Sequence, residues 1–217
     1  VSVPEPLRTN AERNWSAAVE NRFAFTDALS LTVGASYDWR DLDRAEEFGV
    51  PLGQTGASRL FSFPLRNASA WNAQGRLDWV QGETALHASV SSRARFPTIF
   101  ERFSSQFGTA EPNPDLKPEH GRSYDLSAVR EVADGRLRLS LFQEDLWNSL
   151  LSQSAPLLAG STSLFNFVQN VDRLKTRGFE MVLDQRDSMD GFDLLGSATY
   201  VDSRILRDTA FAAAITS

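Results

Sequence analysis

Two histidines, His87 and His120, are the only imidazoles in the chain, so a nucleophilic triad would have to take its base from one of them. His87 falls on the polar side of an alternating stretch and His120 in a proline-rich connector. Both read as solvated or pore-lining groups. No G-x-S-x-G, phosphate-binding loop or H-E-x-x-H pattern occurs. The acidic run Asp38, Asp41, Asp43, Glu46 and Glu47 lacks the regular spacing of a calcium loop, and Arg40 and Arg44 are interleaved with it. It reads as a salt-bridged, solvated segment. Asp187 to Gly191 reads as a turn in which Asp and Gly serve local hydrogen bonding and positive φ. The charges that remain, Arg76, Asp78, Arg93, Arg95, Glu101, Glu180 and Asp184, share the polar side of their stretches. These residues point to no catalysis, no metal site and no bound cofactor.

The elements that must position those charges are strands. Leu29, Leu31, Val33, Ala35, Tyr37 and Trp39 alternate with Ser30, Thr32, Gly34, Ser36 and Asp38, a period of two with one apolar and one wet face. Trp71, Ala73, Gly75, Leu77 and Trp79 repeat it against Asn72, Gln74, Arg76 and Asp78. The same pattern places about eight strands near 14–26, 29–39, 70–80, 84–95, 122–131, 136–147, 167–186 and 192–204. No helix is expected. The connections at 27–28, 81–83, 132–135 and 187–191 are short, and those at 40–69, 96–121 and 148–166 are long. In an antiparallel up-and-down meander this strict alternation puts every long loop at one end.

Trp71 and Trp79 lie on one face eight residues apart, and Trp15 and Phe25 ten apart. Those spans are roughly 26 and 33 Å along a strand. Tilted by ~40°, they rise about 20 to 25 Å, the height of a membrane-facing apolar band with an aromatic girdle at each rim. Trp15, Trp39, Trp71 and Trp147 fall at the long-loop rim, Trp79 at the other.

Composition narrows the classes further. An apolar content of 41% is that of a folded protein. A net charge of -6, with Lys117 and Lys175 the only lysines and the arginines dispersed, argues against nucleic acid as a partner. The absence of cysteine excludes disulfides and thiolate metal sites. No apolar run approaches the ~18 residues of a helical membrane span. The first residues, VSVPEPLRTNAERN, lack a charged-then-apolar signal pattern.

Two motifs flank the most informative connection. Ser92, Arg95, Pro97, Thr98, Glu101 and Phe103 end one strand, and Asn113-Pro114-Asp115-Leu116-Lys117-Pro118-Glu119 precedes the next. Pro114 and Pro118 favour a stiff, extended connector there. The chain resembles the barrel of TonB-dependent outer-membrane receptors, in which a strand ending S-x-x-F-R-A-P-T-x-x-E-x-F is followed by N-P-x-L-x-P-E. Ala94 and Phe96 depart from that pattern. Thr176 to Glu180 and Ala198 to Asp202 also look like segments of these barrels.

The resemblance implies a segment of a transmembrane β-barrel of about 22 strands, located in the outer membrane of a Gram-negative bacterium. It implies import of a scarce small molecule, such as a ferric siderophore, haem, cobalamin or another metal chelate. TonB would deliver the energy through a plug region, and outer-membrane lipid would surround the wall. Residues 1–217 are then expected to be a partial barrel domain without plug. Eight strands cannot close so wide a barrel, because diameter grows with strand number. The segment would stay a curved meander with pairing edges, or curl with its apolar face inward. The low-specificity lumen candidates for ligand contact are Arg76, Arg93, Arg95, Glu101 and Glu180. A soluble or small outer-membrane β-barrel acting as a binding or structural module is the alternative.

Overall fold

A strand with one apolar and one polar face gains most when its neighbours present the same faces in register, and adjacent segments joined by tight turns do this at the least loop entropy. The computed structural model describes residues 6–50, 55–104, 110–132, 134–156, 164–186 and 191–207, excluding the side chains of 155, 156, 164 and 165. In order these form β1 (Asn10–Ala24), β2 (Leu29–Gly49), β3 (Arg59–Ser62), β4 (Ala68–Gln81), β5 (Thr84–Arg95), α1 (Ile99–Phe103), β6 (Ala110–Glu111), β7 (Glu119–Val132), β8 (Gly135–Pro156), β9 (Leu164–Gln185) and β10 (Leu194–Arg207). The sheet is an antiparallel meander in the order β1-β2-β4-β5-β7-β8-β9-β10. β3 adds to β2, and β6 runs parallel to β9. Among the described pairings β1 does not meet β10, so the sheet is open.

Register keeps the two faces separate across every pair. Trp15 lies opposite Trp39, Tyr37 opposite Trp71, Leu31 opposite Leu77 and Gly75 opposite Val90. Further along, Leu126 meets Leu141, Leu141 meets Phe179 and Phe179 meets Tyr200. Trp15, Trp39, Tyr37 and Trp71 form one aromatic row, with centroid separations of 6.4, 5.7 and 4.9 Å. This face is not buried. Trp71 is 73% exposed and Val19 70%. An apolar face left open over eight strands is stable only against an apolar surrounding, since single exposed apolar residues are ordinary and a contiguous sheet of them is not. The inward-curled arrangement is therefore not the one adopted.

The long connections hold more regular structure than their polar composition suggests. β2 continues to Gly49 and pairs back to Asn10 on β1 and to β3, inside the region read as loop 40–69. β8 reaches Pro156 and β9 begins at Leu164, so most of 148–166 is a paired ribbon. Within 96–121 lie a five-residue helix, a two-residue strand and the start of β7, which places His120 on a strand and not in a connector. The physical reason is common to all three. Beyond the apolar band both faces of a ribbon meet water, so backbone pairing persists without alternation in the side chains. Residues 157–163 and 187–190, parts of the 148–166 and 187–191 connections, lie outside the described residues.

Candidate functional site

The polar face carries several hydrogen-bonded clusters of side chains. Ser16 Oγ donates to Asp38 at 2.5 Å, and Asn72 Nδ2 donates to Asp38 and, at 3.1 Å, to Ser36. Gln74 Nε2 donates to Glu20 at 2.7 Å, while Arg93 Nη2 donates to Gln74 Oε1 at 2.8 Å. A hollow of about 580 Å³ lies over this part, lined among others by Glu20, Asp38, Gln74 and Arg93. Nearer the short turns Arg76 Nε donates to Asp78 at 2.7 Å, and His87 Nδ1 sits 2.5 Å from the same carboxylate. A second hollow of about 390 Å³ there is lined by Arg76, His87, Asp125 and Arg138. Such a surface offers fixed donors and acceptors to a polar molecule and no activated nucleophile.

Of the five lumen candidates, Arg76 and Arg93 stand on these two hollows. Glu180 is on the same polar face, opposite Ser140 and Thr199. Arg95, two residues beyond Arg93, keeps the polar face at the long-loop end of β5, and Glu101 joins it from α1. Arg95 Nη1 lies 3.1 Å from both oxygens of Glu101, and its Nε lies 3.4 Å from Glu119. Their pairing ties the end of β5 to α1 and to the start of β7. Among the described residues no group of three His, Asp or Glu could hold a metal ion. Three of the five carboxylates in the acidic run are ion-paired: Asp43 with Arg13, Glu46 with Arg44 and Glu47 with Arg8.

The rim between β5 and β7 is built around α1. Thr98 caps it: Thr98 Oγ1 accepts from the Glu101 N–H at 3.1 Å, and Glu101 Oε2 accepts from the Thr98 N–H at 2.7 Å. This reciprocal cap is legible as Thr98-x-x-Glu101, the signal that the sequence held for a helix. Phe103 is 1% exposed and stacks on Phe63 at 5.2 Å within a cluster that includes Leu42 and Ala45. Two buried arginines brace the surrounding chain. Arg40 donates to the Pro97 carbonyl, and Arg102 Nη2 to the Pro114 carbonyl at 2.7 Å. The Asn113 to Glu119 segment is not extended throughout. Asp115 N–H bonds the Asn113 side chain at 3.2 Å in a tight turn that exposes Asn113 Nδ2 to the Val168 carbonyl at 3.0 Å. Asn170 then clasps Lys117, accepting from its N–H at 2.9 Å and donating to its carbonyl at 3.0 Å. Sequence reasoning missed Arg40, Arg102 and Asn170, and no local pattern marks them.

Burial alone pushes the Glu101 carboxyl up, but the Thr98 N–H and hydroxyl and the Arg95 guanidinium outweigh it and hold the group below the usual carboxylate range. A depressed folded pKa means that stability is complete above the unfolded value and is lost as pH falls through the folded one. The cap is thus expected to be intact at neutral pH and to loosen only in acid below the ordinary glutamate range. An environment-sensitive dye on Phe100→Cys, which would be the one cysteine of this chain, would report on α1. Its acid transition should vanish in a Glu101→Ala background, which has no side-chain acceptor for the Thr98 N–H and where the loosened signal is already present at neutral pH. An unchanged transition in that background would refute the assignment.

An open antiparallel wall, apolar on one side and polar and hollowed on the other, with tight turns at one end and long ribbons at the other, is a segment of a transmembrane β-barrel. The chain belongs to the family of TonB dependent receptor-like β-barrels, whose model matches residues 3–215. Solved structures agree on the fold. The copper transporter OprC superposes with a TM-score of 0.72 at 16% identity, over 89% of this chain and 30% of that one. The hemophore receptor HasR of Serratia marcescens gives 0.64 at 18%, over 90% and 34%. The FrpB iron transporter of Neisseria meningitidis gives 0.61 at 15%, over 91% and 27%. The chain thus spans about a third or less of each of these proteins.

Proposed function

We propose that this chain forms part of the barrel wall of a TonB-dependent receptor in the outer membrane of a Gram-negative bacterium. The receptor imports a scarce small molecule of the metal-chelate or haem class, with energy delivered through TonB by way of a plug region. The observation that carries this reading is the two-faced wall: an exposed apolar face with an aromatic row, backed by a charged, hollowed face. The similarity in fold to a copper transporter, an iron transporter and a hemophore receptor supports the class of cargo. Arg76, Arg93 and Glu180 are proposed to line the path or to face the plug, and Arg95 and Glu101 to hold the rim.

The reading is tested in the full receptor in liposomes whose lipids are brominated at different depths. Variants keeping only Trp71 or only Trp79 are both expected to be quenched best by shallow bromines, one at each girdle. Quenching of neither by any lipid would remove the wall from the membrane and the proposal with it. Ligand recognition by the long loops is tested by deleting 106–112, of which 106–109 lie outside the described residues. Uptake should be lost while the barrel still migrates as a folded band in the cold and shifts on heating.

A further inference from the structure

The apolar face does not end in neutral residues on every strand. Following it upward from Phe179 on β9, the same side carries Arg177, Lys175 and Arg173 in successive alternate positions. Register extends this column into a grid. Arg177 lies between Gln143 of β8 and Asp202 of β10, and Lys175 between Asp145 and Arg204. Arg173 faces Trp147, and Arg122 of β7 faces Asp145. Ring contacts confirm that these side chains share a face, since the Arg122 and Arg173 guanidinia lie 5.3 and 5.5 Å from the Trp147 ring. The patch thus sets five cations, Arg122, Arg173, Lys175, Arg177 and Arg204, against two carboxylates, Asp145 and Asp202, in a chain whose net charge is -6. It also holds one of only two lysines.

The cations are presented outward. The Arg177 and Arg204 side chains are 59% and 66% exposed, whereas Asp202 between them is 15% exposed. Arg173 is 44% exposed over an Asp145 that is only 8% exposed. The carboxylates therefore lie at the base of the patch and hold the guanidinia in position, leaving their outer N–H groups directed away from the sheet. With strands ~4.8 Å apart and alternate residues ~6.6 Å apart, four strands and three rows cover about 14 by 13 Å. Immediately below lie Leu139, Leu141, Phe179, Met181 and Tyr200, all at least 40% exposed. On the β1–β2 side of the sheet the corresponding position above the aromatic row holds Arg13 tied to Asp43, a neutral pair. The excess of cations is confined to β7–β10.

We propose that this patch is a binding site for the phosphorylated headgroup of a lipid in the leaflet on the long-loop side. The acyl chains would lie on the apolar face below, and the phosphates would be held by Arg177, Lys175 and Arg204, with Arg122 and Arg173 completing the row around Trp147. A headgroup of this charge and an apolar tail match the two zones in their order along the strand, and a free anion would use only one of them. The site rests on the membrane reading of the apolar face, and quenching of Trp71 and Trp79 by brominated lipid tests that reading separately.

The experiment uses the full receptor, stripped of lipid in maltoside detergent and titrated with diphosphoryl lipid A. The triple variant Lys175→Gln/Arg177→Gln/Arg204→Gln is expected to bind about a hundredfold more weakly, roughly 3 kcal/mol at 1.4 kcal/mol per decade. Arg138→Gln, a cation removed from the opposite face, should bind as the parent does. Asp202→Asn should bind more tightly, because it removes an anion from the patch; a merely structural patch would weaken instead. Where the triple variant fails to give a heat-shiftable folded band, Arg204→Gln alone is read, and a fewfold loss is expected. Unchanged binding in the triple variant, or in Arg204→Gln where that is the one read, would overturn the proposal. Complete displacement of the lipid by millimolar inorganic phosphate would overturn it as well, marking a free-anion site.

Discussion

Replacing Phe103 by alanine is expected to undock α1 from the wall while leaving the barrel assembled. The ring is 1% exposed, stacked on Phe63 and enclosed with Leu42, Ala45, Phe61 and Ile99. Truncating a buried phenylalanine removes about 3–5 kcal/mol of packing. A helix of five residues cannot absorb that loss, since short helices are held by their packing and not by propensity. Amide-exchange protection within residues 99–103 should fall by about two to three and a half decades. Heat-shiftable migration of the receptor should not change, because the sheet pairings of β5 and β7 do not involve the ring. Phe100, on the same helix but 62% exposed, provides the internal control: Phe100→Ala should alter protection by less than about 0.5 kcal/mol. Equal effects of the two substitutions would show that the cluster does not hold the helix.

How far this architecture could be read in advance depends on what surrounds each residue. From Trp15 to Phe23 and from Leu29 to Trp39, lipid on one side and polar groups on the other impose a period of two. Those strands and their register partners were therefore visible. Above Arg40 the constraint lapses. Asp41, Leu42, Asp43 and Arg44 show no alternation, yet they continue β2 because backbone groups pair as well in water-facing ribbons as in the band. Glu46 and Glu47 look like solvated carboxylates in a list of residues, but they are under a tenth exposed, braced by Arg44 and Arg8. Charge alone does not report burial when the partner is distant in sequence.

The candidate site divides along the same line. Arg76 and Arg93 could be assigned to the polar face because they sit on strict alternation. Arg95 keeps that alternation as the last residue of β5, opposite Glu119, whereas Glu101 lies on α1, where the cap geometry decides where it points. The Thr98 and Glu101 spacing contained the helix, hidden by the prolines around it. Asn170, by contrast, joins Lys117 across 53 positions. No periodicity or motif could disclose such a contact, which exists only once β8 and β9 have brought their ribbon beneath the Asn113 turn.

Gly178 of β9 is crowded by β8 on one side and β10 on the other, and enlarging it is expected to prevent the outer strands from pairing. A Cβ at this position would lie 2.1 Å from the Tyr200 carbonyl oxygen and 2.6 Å from the Phe142 ring. The first of these atoms is backbone, which cannot swing aside without breaking the β9–β10 ladder that sets Val201 opposite Gly178. The second is a ring standing on the neighbouring strand, so the glycine is a seat for Phe142 on the polar face. Its backbone angle is ordinary, and the requirement is one of space alone. Overpacking of this kind costs typically 1–3 kcal/mol when the surroundings can yield. Gly178→Ala should therefore reduce the yield of folded receptor, and Gly178→Val, which adds two methyl groups to the same contact, should abolish it. Pairing Gly178→Ala with Phe142→Ala relieves the ring contact but not the carbonyl contact, so rescue should be partial. Full rescue by that pair would place the constraint in the side chain. No loss of folded band in Gly178→Val would refute the close approach of the three strands.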